Sequence, residues 1–405
     1  MYFCKSMKGK KIRYIILLLS LFASASAYGQ VEKDLLSAQM INQTGAIGDS
    51  IMARMKGKEK KPPFVVRLWN KFSSWRARAQ VAGYDPGYVT YPKHPWLVDV
   101  ETKMSITGQM MYLPNMVNDD YCRIVNTTGL SSRMGVGGYY RGWGLSFGPK
   151  LSNGSEFYFE FSSYGRAFGF DLKIDNQTNM HSTIEWMTND LPSPSMGKHP
   201  GLTGPELVLL DLNTYYVFNN KKFSYASALS QTSWQTKSAG SLIAGMSYLA
   251  TYTGYDSAFF LQLPFANRFH IDTFHVLSHN LLMGVGYAYN WVWGKGKWLL
   301  HASVLPMARW SFYRDVMVKP YGDLDTWPEE YSSYYKIKEQ ELQENFHQRR
   351  WGFAAMMRLA FFWNITDRWA LGLVSSYANF LDGRKDGIKL TTDDLKLYAY
   401  VGLRL

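Results

Sequence analysis

Residues 350–363 read Arg350-Trp351-Gly352-Phe353-Ala354-Ala355-Met356-Met357-Arg358-Leu359-Ala360-Phe361-Phe362-Trp363. Trp351, Phe353, Ala355, Met357, Leu359, Phe361 and Trp363 share one parity and are all apolar. Arg350, Gly352, Ala354, Met356, Arg358, Ala360 and Phe362 occupy the other. Alternate residues of a strand point to opposite faces. The stretch therefore predicts a long strand with one greasy face, while the other face carries two arginines. The tryptophans at the ends of the greasy face are twelve residues apart. At ~3.3 Å per residue and ~45° tilt, roughly 28 Å separates them along a membrane normal. This is close to the height of the apolar band between the aromatic girdles of a membrane barrel. Strands of a soluble sandwich usually run only ~5–6 residues.

The same pattern recurs outward from this stretch. Leu395, Leu397, Ala399, Val401, Leu403 and Leu405 oppose Lys396, Tyr398, Tyr400, Gly402 and Arg404. Trp298 to Phe312 sets an apolar parity against His301, Ser303 and Arg309. Leu281 to Trp291 alternates with Asn280, Gly284, Gly286, Ala288 and Asn290. Connections alternate in length, with tight turns at 218–223 and 363–369 and long links at 176–204, 254–278 and 313–347. Thirteen strands are predicted, near 97–112, 132–140, 142–149, 156–164, 166–175, 206–218, 222–233, 239–253, 279–292, 297–312, 347–362, 367–380 and 394–405. Single-chain bacterial barrels have even strand numbers. Merging 132–140 with 142–149 gives twelve. The expected fold is an all-β antiparallel transmembrane barrel of about 12 strands, within 10–14, preceded by a short, partly helical segment.

Composition agrees with that class. The 405 residues are 46% hydrophobic, 16% aromatic and 19% charged, which excludes a disordered chain. Mean hydropathy of −0.23 argues against a bundle of membrane helices. Two cysteines exclude a disulfide scaffold. The net charge of +12 is carried almost wholly by residues 1–95. Lys8 to Arg13, the apolar run Tyr14 to Phe22, and Ala23, Ala25 and Ala27 lay out a secretory signal peptide. The expected division is a cleaved signal at 1–29, a periplasmic segment at 30–95 and an outer-membrane barrel at 96–405.

Several stretches resemble a known family. They are Tyr84-Asp85-Pro86-Gly87-Tyr88-Val89, Pro92-Lys93-His94-Pro95-Trp96, Gly135 to Gly142, Tyr216 to Tyr225, Gln235 to Ser241 and Gly286 to Asn290. The chain is similar over residues 84–405 to a domain-of-unknown-function family of outer-membrane barrels from Bacteroidetes-type bacteria. The resemblance implies fold and location but carries no activity. Within it Asn219, Asn220, Gln235, Ser238, Gly240 and Ser241 form the most specific motif. Ser238 and Ser241 beside Gly240 either close a bend or, with Gln235 and Lys237, form a polar patch facing the lumen.

Other constellations point nowhere specific. Gly135-x-Gly137-Gly138 lacks the following helix and Lys-Ser/Thr pair of a phosphate loop. His270, His275 and His279 are not spaced to share one strand face. His301 and Ser303 share an inner face, yet ~6.6 Å along the strand is too far for a direct hydrogen bond. His301, Arg309, Arg350, Arg358, Lys396 and Arg404 are predicted to face the lumen, against acids such as Glu160 and Asp211. There they either tune a pore or plug it with salt bridges. The expected role is a structural or small-molecule transport barrel. The alternatives are a barrel enzyme acting on lipid or lipopolysaccharide, and a secreted soluble β-rich binding protein. No cofactor, metal or catalytic residue is expected. Outer-membrane lipids, lipopolysaccharide and the barrel-assembly machinery are the expected partners, without nucleic acid.

Overall fold

The structure is a computed structural model. It describes residues 83–114, 121–149, 157–178, 180–188, 195–261, 271–320, 350–382 and 389–405, with isolated positions between 329 and 340. The signal peptide, the basic stretch 51–80 and His270 lie outside the described residues. In chain order the strands are β1 (Val89–Thr90), β2 (Trp96–Pro114), β3 (Tyr121–Thr128), β4 (Ser131–Tyr140), β5 (Trp143–Pro149), β6 (Phe157–Tyr164), β7 (Phe168–Gln177), β8 (Met180–Thr188), β9 (Ser195–Thr203) and β10 (Glu206–Val217). A short helix α1 (Tyr225–Leu229) and β11 (Trp234–Gln235) follow, then β12 (Ala239–Tyr255) and helix α2 (Ser257–Leu261). The chain ends with β13 (Ile271–Trp293), β14 (Trp298–Pro320), β15 (Arg350–Asn364), β16 (Trp369–Asp382) and β17 (Lys389–Arg404).

Twelve of these strands close a single antiparallel barrel: β2, β4 to β7, β10, and β12 to β17. The seam is β17 against β2, from Leu97↔Arg404 to Lys389↔Tyr112. Closure leaves no barrel edge strand with unpaired backbone groups, which is what a spanning sheet requires. The total of twelve is reached differently from the sequence expectation. Strands 132–140 and 142–149 do not merge, because Arg141 and Gly142 both take positive φ (45° and 86°). That is the two-residue turn whose twist matches a right-handed hairpin. Instead, 222–233 is not a strand. It folds into the barrel as α1 and its flanks.

The long links hold more structure than expected. β8 and β9 occupy most of 176–204, and β3 precedes them. Together they extend the wall beyond the outer half of β2, where Gly108–Pro114 pair with β3 in place of β4. β13 and β14 run 23 residues each and reach into 254–278 and 313–347.

Side-chain parity follows the sequence pattern. Trp351, Phe353, Leu359, Val401 and Leu405 point outward and are exposed, Phe353 by 70%. Aromatic pairs mark two levels of this outer face. At one, Trp298 stacks on Trp363 (4.8 Å, 5°) and Trp96 on Tyr140 (4.4 Å). At the other, Trp310 stacks on Trp351 (6.1 Å). The register Trp298↔Trp363 and Trp310↔Trp351 makes these cross-strand pairs twelve residues apart on both strands.

The first level adjoins a rim made of the short connections 141–142, 165–167, 294–297 and 365–368 and of the longer β10–β12 connection, 218–238. Trp96 and Leu405 meet there through paired backbone hydrogen bonds. On this rim sit Lys93, Arg141, Arg166, Lys221, Lys222, Lys237, Lys295, Lys297 and Arg368, against Asp85 and Asp367. The opposite rim carries the long loops.

Candidate functional site

The lumen is the candidate site, and it is filled in three layers. The layer at the short-turn rim is a plug. Leaving β10, the chain turns at Asn219 and Asn220 and re-enters the barrel. In Phe223-Ser224-Tyr225-Ala226-Ser227-Ala228-Leu229, Ala226, Ala228 and Leu229 favour a helix, and the serines and alanines occupy little of a twelve-strand lumen. Ser224 caps α1 by accepting from the Ser227 amide (3.2 Å). Phe223, Tyr225 and Ala226 pack on Tyr164, Tyr215, Ile243 and Ala288 of the wall. Ala228, with Leu229 packed against the same cluster, reaches Leu299, Ala360, Phe362 and Tyr400.

Polar bonds lock this plug. Asn290 donates to the Ser224 carbonyl (3.0 Å) and to Gln235 Oε1 (2.7 Å). His301 Nδ1 lies 2.7 Å from Asn290 Oδ1, and its Nε2 lies 3.2 Å from Ser303 Oγ. The His301–Ser303 hydrogen bond thus forms directly, correcting the sequence estimate. That estimate measured rise along the strand and ignored the reach of the imidazole. Tyr225 donates to Ser303 Oγ (3.4 Å). Arg404 donates to Asn364 (2.7 Å) and to Gln231 (3.2 Å) and lies over the Trp234 ring.

The N-terminal stretch closes over the same plug. β1 pairs with β11 through Val89↔Gln235 and Thr90↔Trp234. The Asp85 amide donates to the Lys221 carbonyl (2.9 Å), and Tyr84 donates to Ser224 Oγ (3.3 Å). Four of the six family-like stretches therefore meet: 84–89 lies on the plug, 216–225 and 235–241 lead into and out of it, and 286–290 anchors it. Within the motif, Asn219 bonds Ser241 Oγ and the Gly240 carbonyl, both at 2.8 Å. Ser238 Oγ accepts from the Val292 amide (2.9 Å). The serines therefore close the bend, Gln235 lies inside and Lys237 is exposed.

The middle layer is ionic. Arg358 donates to both oxygens of buried Asp171 (2.9 and 3.3 Å), which also accepts from Asn213 (2.9 Å). Asp175 takes Arg133 (2.6 Å), Lys396 (3.3 Å) and Lys103 (3.9 Å). Lys396 also reaches Asp394 (2.7 Å). Glu101 accepts from Tyr158, and Glu160 lies 3.8 Å from Lys173. A cavity of about 50 Å³ remains among Glu101, Glu160, Lys173, Arg358 and Leu229, room for several waters. The layer nearest the long loops is hydrogen-bonded and holds the buried Arg309, Arg314 and Arg350. Asn126, Gln109, Thr253 and Tyr255 form one chain of bonds, while Arg309 holds Asn280 (2.9 Å).

The six predicted lumen residues are all buried. His301 and Arg404 hold the plug, Arg358 and Lys396 lie in the ionic layer, and Arg309 and Arg350 lie nearer the long loops. Asp171, Asp175, Lys103 and Arg133 belong with them but were missed, as was the helix. Lys103 and Arg133 sit on the inner parity of β2 and β4. Ser224 before Tyr-Ala-Ser-Ala-Leu is the cue for the helix. His270 lies outside the described residues, and His275 and His279, four residues apart, share the outer parity of β13. Each bonds a tyrosine instead of gathering acids, His275 with Tyr252 (2.8 Å) and His279 with Tyr248 (2.5 Å).

A family model described as a domain of unknown function (DUF4421) matches residues 84–404. The outer-membrane protease OmpT of Escherichia coli is 7% identical with a TM-score of 0.39, covering 78% of this chain and 97% of its own. Outer membrane protein OprG of Pseudomonas aeruginosa is 7% identical with a TM-score of 0.26, covering 78% and 97%. The toluene transporter TodX of Pseudomonas putida is 6% identical with a TM-score of 0.27, covering 78% and 91%. No curated protein matches the chain.

Proposed function

The chain belongs to the DUF4421 family, a domain of unknown function, and from that premise we propose that it is an outer-membrane β-barrel closed at rest by its own β10–β12 connection. Its role is then structural, or the passage of a small solute once the plug is displaced. The observation that carries this is the packed plug from Phe223 to Gln235 across the lumen, bonded to Asn290, Ser303 and Arg404 and packed on the His301 ring. The apolar outer face between two aromatic levels supports a membrane setting. Export by a signal peptide ending near residue 29, a Bacteroidetes-type source, and lipopolysaccharide and the assembly machinery as partners belong to the same proposal. Planar-bilayer recording tests it. The intact barrel is expected to stay silent, and a variant with residues 224–233 replaced by a short Gly-Ser link is expected to conduct. A large steady conductance from the intact chain would overturn the closed reading.

A second reading rests on Ser303, His301 and Asn290, a relay in which a hydroxyl meets a histidine oriented by an amide. It is that of a barrel hydrolase acting on lipid. Labelling by a fluorophosphonate that disappears in Ser303→Ala would support it. Absence of labelling in detergent-solubilised, heat-modifiable protein would remove it.

A further inference from the structure

The rim of short turns is basic at nearly every turn around the circumference. A twelve-strand barrel has six places at this rim, five turns and the point where Trp96 meets Leu405. Arg141, Arg166, Lys221, Lys295, Lys297 and Arg368 stand on the five turns. Lys93 pairs with Asp367 (3.6 Å), one of two acids on the rim among the described residues.

Depth in the wall decides what such a ring meets. Lys295 and Lys297 lie between Trp293 and Trp298. Arg141 lies between Tyr140 and Trp143, and Arg368 directly precedes Trp369. Arg166 and Lys221 are two and three residues from Phe168 and Phe218. Trp293, Trp369, Phe168 and Phe218 are exposed on the outer face. One to three residues at ~3.3 Å and ~45° tilt is roughly 2–7 Å beyond the aromatic level. Aromatic belts mark the headgroup boundary, so the basic groups stand at phosphate depth. Their aliphatic stems are long enough to snorkel there.

We propose that this rim binds the anionic headgroups of phospholipids of the phosphatidylglycerol type in the leaflet it faces. A lipid leaflet is the occupant that a ring favours. Charges at one depth around a circumference meet a planar array of phosphates, whereas a linear polyanion touches one or two turns at a time. The inference rests on reading the apolar outer face as a membrane surface. Each basic group near an anionic surface is worth about fivefold in binding, and the effect is screened by salt.

The test is the lipid selectivity of the folded full chain in vesicles, read from spin-labelled phosphatidylglycerol against spin-labelled phosphatidylcholine. The wild type is expected to hold the anionic lipid severalfold more, and about 0.5 M salt is expected to remove most of that preference. Lys221→Gln/Lys295→Asn/Lys297→Gln/Arg368→Gln is expected to lose the preference while keeping its heat-modifiable mobility. If that variant does not fold, Lys295→Asn/Lys297→Gln on one turn is expected to lose part of it. A folded variant with undiminished selectivity overturns the proposal. So does a wild type without lipid selectivity whose same lysines bind heparin, which would point to a polymer. Failure of the wild type to insert overturns the membrane reading and this inference with it. Insertion without selectivity overturns this inference alone.

Discussion

Arg358→Met separates a packed lumen from a watery one. Arg358 is 9% exposed and Asp171 is fully buried. The guanidinium supplies two contacts to the carboxylate, at 2.9 and 3.3 Å. Removing it leaves Asp171 with Asn213 (2.9 Å) and a more distant Lys173 (3.9 Å). Breaking a buried pair from one side costs ~3–5 kcal/mol, because the remaining charge stays desolvated. Lys173 offsets part of that, so about 3 kcal/mol is expected. An exposed pair in a water-filled pore would be worth only ~0–1 kcal/mol. The double variant Asp171→Asn/Arg358→Met removes both charges and is expected to recover most of the loss, since neutral replacement of a buried pair is often tolerated. The assay is guanidinium unfolding of the barrel in vesicles, followed by tryptophan fluorescence across the four-member cycle. A cost below about 1 kcal/mol for Arg358→Met, or strict additivity in the double variant, would refute the packed ionic layer.

Other outcomes follow from particular contacts. In Gly286→Ala the new Cβ overlaps the Val304 carbonyl oxygen, a backbone atom that cannot swing away. A loss of about 2–3 kcal/mol is expected, while Gly138→Ala, with open space at its Cβ, is expected to be neutral. Equal midpoints for the two would contradict the close β13–β14 approach. Trp298→Ala breaks a stacked outer pair and is expected to cost about 1 kcal/mol beyond the lost area. Trp363→Ala added to it should cost less than it does alone, and additive effects would deny the stack. Arg404→Met removes the donor to Gln231 and Asn364 and the cation over Trp234. Brief channel openings are expected in bilayers where the wild type is silent, and unchanged silence would mean this bolt does not hold the plug.

The legible part of this protein was its wall. Alternation in 350–363 and 395–405 is enforced by a strand's two-residue period and by lipid on one side, so both faces could be read locally. The same parity placed His301, Arg309, Arg350, Arg358, Lys396 and Arg404 inside. Lumen contacts did not follow from parity. The carboxylate for Arg358 comes from Asp171, which lies 187 residues away. The His301–Ser303 bond depends on a rotamer, not on rise. Residues 222–233 passed for a strand because Ser and Ala alternate there without a polarity contrast. Only barrel closure shows that the wall is complete without them and that the lumen needs filling.

By itself the sequence determined a closed antiparallel wall with a greasy exterior, aromatic levels at a set separation and a charged interior. Those are properties of single strands against two solvents. Tertiary structure decided that the interior is occupied, that four of the family-like stretches meet at one plug, and that a nearly balanced barrel places the basic groups of its short turns on one rim. Each depends on which distant strands become neighbours, and chain closure sets that.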